Sequence, residues 1–210
     1  QPPPLPKVFT EADWSVPDLP IGPYPRAKTL AERAAWEFAA GPENAGRLEL
    51  TAINPGDVFG PLLDREQHAS AQTIRSIMGR GAMGVARIAM PVVDVRDVAA
   101  AHLAAMLAPE AAGQRFCCTA GTLWMEDIAA ILQRHFAGRG YRISTRVWPD
   151  AIVRLAGRFT PGVWAIEPRL GGPTFAVCSD HIKTVLGWQP RSPEEAVVSM
   201  AESMVRLELT

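Results

Sequence analysis

Small apolar residues recur at Ala27, Ala31, Ala34, Ala35 and Phe38, the spacing of one helical face, and predict a helix from about Tyr24 to Ala40. Pro25 fits its first turn, where a missing N–H does no harm, and Gly41-Pro42 stops it. Ahead of it, residues 1–23 are rich in Pro and polar residues and read as an extended loop. RLELTAI (47–53) reads as a strand and runs into NPGDVFGP, a loop dense in Pro and Gly. A helix is predicted over 67–78, then a short strand in ARIAMPVVDV, then a helical face marked by Val95, Val98, Ala99, His102, Leu103 and Met106. RFCCTA is a further strand, and Met125, Ile128, Leu132 and Phe136 mark a further helix. YRISTRVW alternates like a strand, PDAIVRLAGRF reads as a helix, and FAVC as a brief strand. SDHIKTVLG is a short capped helix closed by Gly187. Ser192-Pro193-Glu194-Glu195 is a capping box with Pro at the first helical position, opening a last helix to about Leu207. Strands alternating with helices predict an α/β fold with a parallel sheet.

Composition narrows the function classes. The chain has 210 residues, enough for one domain or a domain plus a lobe with a sizeable core. A net charge of -1 leaves no electrostatic footprint for nucleic acid. The longest apolar run, VAAAHLAAMLA, is too short to span a bilayer and is interrupted by His102. No nucleic-acid or membrane partner is therefore expected. The start, QPPPLPK, has neither an apolar segment of the signal-peptide kind nor an initiator Met, so either something was removed from the front or the chain is an excerpt of a longer one. Cys117 and Cys118 are adjacent on a strand, so their side chains point to opposite faces, and Cys178 stands alone. No Cys/His ligand spacing occurs, and buried free thiols in a reducing, cytoplasmic compartment are expected, with no metal.

GRGAMG (79–84) matches G-x-G-x-x-G, but the dinucleotide pattern needs a strand before it and a helix after it. Here a helix precedes and a strand follows, so the segment reads as a helix end and turn. No Walker-type loop is present either.

The chemistry gathers at GPYPRAKTLAERAAWEF. The chain has two tyrosines and three lysines against eighteen arginines, yet sets Tyr24 and Lys28 four apart at the start of a helix. Residues i and i+4 share a face. A phenol has a pKa near ~10, too high for efficient proton exchange at neutral pH, and a nearby ammonium lowers it by favouring the phenolate. Such a tyrosine can deliver a proton to a carbonyl oxygen while hydride arrives at the carbonyl carbon. Lysine suits the task because it is a compact charge with three rotatable donors. The spacing alone is equally that of a surface tyrosine beside a solvated lysine.

YPRAKTLAERAAWEF resembles the active-site helix of the extended short-chain dehydrogenase/reductases, the NAD-dependent epimerase/dehydratase superfamily, and is most similar to its dihydroflavonol-reductase-like branch. INPGDVFGP resembles the family's strand and loop beside the nicotinamide, VVDVRDVAAAHLAAM its V-D-V-x-D-V-A-x-A-H helix, and LGWQPRSPEEAV its C-terminal LGW-x-P signature. The resemblance implies a Rossmann-like parallel sheet, its N-terminal strands missing here, with a smaller C-terminal substrate-binding lobe. Residues 1–60 and 86–119 would be the remainder of the dinucleotide-binding domain, and 61–85 and 120–210 the lobe. It implies Tyr24 as catalytic acid/base and Lys28 as the group that tunes it and holds the nicotinamide ribose. Pro55, Gly56 and Val58 would lie along the nicotinamide of NADP or NAD. Asp94 and Asp97 are expected to cap and orient a helix, and His102 to be a packing residue on its apolar face.

The family's first half, with its glycine-rich turn and active-site Ser or Thr, is absent, and Ser15 is not that serine. A missing N-terminal segment or a homodimer partner is expected to complete the sheet. Without it Leu48, Leu50 and the apolar face of the Tyr24 helix would be exposed, and the piece would bind dinucleotide weakly at best. Trp148, Phe159, Trp164 and Phe175 are candidates for an apolar pocket, and Arg154, Arg158 and Arg169 for an anion. The expected activity is NAD(P)-dependent reduction of a small ketone or aldehyde, or oxidation of the alcohol. A sugar-nucleotide epimerase or dehydratase of the same fold, and a non-catalytic NAD(P)-sensing relative, are the alternatives.

Overall fold

The computed structural model describes residues 7–65, 69–79, 83–157 and 175–210. Strands β1 (Lys7–Phe9), β2 (Ala52–Pro55), β3 (Asp57–Phe59), β4 (Ala89–Asp94), β5 (Arg115–Cys118), β6 (Gly121–Trp124) and β7 (Phe175–Val177) alternate with helices. The helices are α1 (Pro23–Ala40), α2 (Ala69–Met78), α3 (Val95–Leu107), α4 (Met125–Phe136), α5 (Asp150–Gly157), α6 (Asp180–Leu186) and α7 (Pro193–Arg206).

Pairing is parallel for β1–β7, β2–β5 and β3–β4, and antiparallel for β4–β6. The chain leaves β2 at Pro55, turns once at Gly56 and enters β3, exchanging β5 as its neighbour for β4. Beyond β5, Thr119 and Ala120 lead into β6 in the same way, with the Ala120 N–H donating to Val92 O at 2.8 Å. Gly56, Pro91 and Thr119 meet where the two ladders change hands. A Cβ on Gly56 would stand 2.3 Å from Pro91 O and 3.0 Å from Thr119 Cγ2, so only glycine lets the backbones approach this closely. Strand β4 is covered on both faces, with Val92 and Val93 fully buried, which is why it reads as a continuous apolar run.

Two apolar clusters result. One joins β3, β4, α2, α4 and α7 around Phe59, Ile74, Val92, Leu132 and Met204. The other joins β4, β5, α3 and α6 around Val93, Phe116, Cys118, Ile182 and Trp188. The caps behave as their sequences require. Asp94 accepts from Arg96 N at 2.8 Å, Ser192 accepts from Glu195 N at 3.1 Å, and Gly187 closes α6 at φ 61°. Asp97 orients α3 from inside. It is buried, accepts from Arg191 N at 2.7 Å and from the Arg191 guanidinium, and its carbonyl takes the Trp188 indole N–H at 2.9 Å.

Some elements differ from expectation. The segment 141–148 forms no ladder. Among the described residues its one β-bridge is Val85 to Val147, flanked by Val85 N to Arg146 O and Trp148 N to Val85 O. RLELTAI becomes a strand only from Ala52. The short strands β1, β3 and β6 occupy stretches that carry no alternation. Residues 80–82 of GRGAMG lie outside the described residues, but a helix end at Met78 precedes the segment and β4 follows it, the order that the sequence implies. Arg158, Phe159, Trp164 and Arg169 also lie outside the described residues; Trp148 is half-buried and Arg154 exposed.

His102 is exposed, its Nδ1 2.8 Å from Val98 O, rather than packed on a buried face. The buried side of α3 is that of Asp97 and Ala101, because Arg191 and Trp188 reach Asp97 there. Leu103, Met106 and Leu107 face outward. Leu48 and Phe38 are each 52% exposed, and α1 buries only Thr29, so the small-residue face of α1 is uncovered in this chain.

Candidate active site

Tyr24 and Lys28 stand on the first two turns of α1. Gly22, at φ 85°, turns the chain into the helix, and Pro23 and Pro25 occupy positions where no intrahelical N–H is needed. Tyr24 is 72% exposed, and Lys28 Nζ lies 5.7 Å from its ring centroid, so ammonium and ring are held on one side of the helix. Facing them is the carboxyl end of β2 and the turn into β3. Tyr24, Lys28, Ile53, Asn54, Pro55, Gly56, Asp57, Val58 and Pro91 line one cleft of about 780 Å³, with Ala69 and Ser70 of α2 at its rim. All five residues singled out from the sequence therefore meet at a single cleft, at the strand ends where open α/β sheets take ligands.

Two further clefts adjoin it. One of about 460 Å³ shares Lys28, Ile53 and Asn54, and is bounded by Trp14, Glu32 and Arg115. The other, of about 310 Å³, shares Asn54, Pro55, Gly56 and Pro91, and is bounded by Ser15, Cys117 and Thr119. Asn54 lines all three. It was legible as part of INPGDVFGP, but nothing local marked it as the shared wall. Ser70 and Arg115 come from distant segments and carry no signal in their own neighbourhoods.

The walls are electrostatically ordered. Partial burial pushes the Glu32 carboxyl up, but hydrogen bonds from Arg115, Trp36 and Asn54 outweigh it and hold it below the usual carboxylate range. Burial pushes the Cys117 thiol up to about 12, helped by the Glu11 charge, and burial does the same to Cys118. Neither thiol is a nucleophile near neutral pH. Thr119 and Ser179 are buried and satisfied by each other, with hydroxyl oxygens 3.0 Å apart. Among the described residues no cluster of His, Cys, Asp or Glu is gathered to hold a metal ion, and no helix is long and apolar enough to cross a membrane.

The lining of this cleft is compatible with the nicotinamide end of a dinucleotide: apolar Ile53, Pro55 and Val58 share it with the Tyr24 hydroxyl and the Lys28 ammonium. A glycine-rich strand-turn-helix for the pyrophosphate is not found among the described residues.

Sequence and architecture together define the class. The model of the NAD dependent epimerase/dehydratase family matches residues 2–117, and the chain belongs to that family. Its fold is the Rossmann-like α/β fold of the reductases it resembles. It is similar to the NADPH-dependent methylglyoxal reductase GRE2 of Saccharomyces cerevisiae, 34% identical over 61% of this chain and 41% of the yeast protein. It is similar to the ketoreductase azaE of Aspergillus niger, 37% identical over 96% of this chain and 59% of that protein. Gre2 of Candida albicans, solved in complex with NADPH, superposes with a TM-score of 0.73 at 26% identity, over 95% of this chain and 58% of that one. The chain thus spans about half the length of the curated relatives it matches.

Proposed function

We propose that this chain carries the carbonyl-reducing part of an NADP- or NAD-dependent reductase acting on a small ketone or aldehyde. The observation that supports it best is the convergence of Tyr24, Lys28, Pro55, Gly56 and Val58 on one cleft. The relatives named for NADPH-dependent reduction of methylglyoxal and for ketoreduction support the substrate class and the cofactor. In this reading, residues 1–60 and 86–119 belong to the dinucleotide domain, and 61–85 and 120–210 form the substrate lobe. The enzyme is cytoplasmic, and further strands from its own polypeptide or a second copy complete the sheet.

A dihydronicotinamide bound along Pro55, Gly56 and Val58 would supply hydride to the carbonyl carbon. Tyr24 donates its phenolic proton to the carbonyl oxygen. Lys28 keeps a positive charge beside the ring, which stabilises the phenolate left behind, and offers its remaining N–H groups to ribose hydroxyls. Gly56 lets the turn lie directly on the Pro91 carbonyl and so holds that wall of the cleft in place.

The test is NADPH consumption, followed by its absorbance, with methylglyoxal and simple ketones in the complete protein. Tyr24→Phe should lower kcat by about a hundredfold or more while NADPH binding persists. Turnover unaffected by Tyr24→Phe, or no carbonyl reduced by the wild type, overturns the proposal.

A further inference from the structure

Helix α1 presents the two reacting side chains, yet it buries only Thr29. Further strands would pack on its uncovered face in the completed sheet, but its polar tie to the sheet is already made within this chain. Glu32 lies one turn after Lys28, and its carboxylate accepts a forked pair from Arg115 on β5: Nε to Oε1 at 2.7 Å and Nη2 to Oε2 at 3.2 Å. The Trp36 indole and the Asn54 amide add bonds to Oε1 at 3.2 and 3.5 Å. Arg115 is itself anchored. Its guanidinium lies 3.8 Å from the Trp14 ring centroid, and Nη1 donates to the carbonyls of Glu11 and Asp13. Side chains of both partners are less than a fifth exposed. A fork of two parallel bonds defines a direction as well as a distance, which a single ammonium does not.

We propose that Glu32 and Arg115 are positioning residues of this site: Arg115, held by β5 and Trp14, grips α1 through Glu32 and so sets where Tyr24 and Lys28 stand against the end of β2. This rests on the reading of Tyr24 and Lys28 as the reacting pair. Asn54 ties the grip to the cleft, because it lines the cleft and bonds the same carboxylate. Loss of the fork frees α1 to rotate by a fraction of a turn. At the first turn that moves the Tyr24 hydroxyl by about an ångström, enough to cost on the order of a hundredfold in rate.

In the complete enzyme, Glu32→Gln and Arg115→Lys are compared with wild type for kcat and KM with NADPH and methylglyoxal. Both should lower kcat by about 10- to 100-fold and move the KM for NADPH by less than about threefold. Arg115→Lys keeps the charge and should still fail, because it cannot fork. Trp14→Leu removes the ring beneath the guanidinium and leaves both forked groups in place; it should lower kcat by about threefold or more, and it serves if the charge variants do not fold. A second readout needs no turnover. After reductive methylation with isotope-labelled formaldehyde, the Lys28 methyl resonance, shifted by the Tyr24 ring and assigned through Lys28→Arg, should move in Glu32→Gln. An unmoved resonance, or unchanged kcat in a folded variant, overturns the proposal. A wild type that reduces no carbonyl removes the proposed function instead, and leaves the resonance as the measure of the grip.

Discussion

Gly56→Ala probes the point where the two ladders change hands. The added methyl would lie 2.3 Å from Pro91 O, about 1 Å short of the 3.4 Å at which ordinary contact begins, and 3.0 Å from both Pro91 C and Thr119 Cγ2. Neither neighbour can swing aside. Pro91 is in β4, opposite Thr122 of β6 and next to Val92, which pairs with Asp57 of β3, and Thr119 is held by Ser179. Relief must come from moving backbone, so the cost belongs at the upper end of overpacking, about 2–3 kcal/mol. For a chain of this size that lowers Tm by about 4–12 °C. The displaced turn is also the proposed nicotinamide wall, and a shift of about an ångström there should lower kcat/KM by on the order of a hundredfold. Differential scanning calorimetry and NADPH-linked turnover read the two effects. Gly138→Ala, which meets nothing within 4 Å, is the control and should stay within about 0.5 kcal/mol. If Gly56→Ala melts like wild type, the close approach of the strands is not a constraint and the argument fails.

Two other consequences concern the interior. Asp97→Ala strips the acceptor from Arg191 and its N–H, and should cost about 2–3 kcal/mol in a urea titration, Arg191 being partly exposed; a cost under about 0.5 kcal/mol contradicts the assigned role. Burial pushes the Asp94 carboxyl up, but the side-chain and backbone hydrogen bonds from Arg96 outweigh it and leave it below the usual range. Folding therefore releases a proton between the folded and unfolded values. The stability due to Asp94 is fully present above about pH 4 and fades as pH falls through the depressed value. Unfolding followed from neutral to acidic pH should show a shallower acid loss in Asp94→Asn, and an unchanged slope would contradict this.

Helices were legible because their signals are local. Pro23 and Pro25 at the head of α1, the Ser192 cap of α7 and Gly187 after α6 act within a turn of where they stand in the chain. The Tyr24–Lys28 pair was legible for the same reason, since four residues apart on a helix is already a spatial relation. The loop at Pro55, Gly56 and Val58 could be named, and its nearness to that pair is a fact of assembly. Strands β3 and β6, three and four residues long, are defined by β4 lying between them, not by any alternation of their own.

What the sequence by itself determined is the set of helices, the α/β class and the polar pair on α1, because each depends on interactions between residues a few positions apart. Only the tertiary structure decided which side of α3 is buried, since that helix is apolar nearly all round and Asp97, reached from Arg191, turns it inward. It likewise decided that Arg115 grips Glu32 across 83 positions of chain and that Asn54 stands among three clefts. A hydrogen bond between distant residues depends on where the sheet brings them, and no local pattern records it.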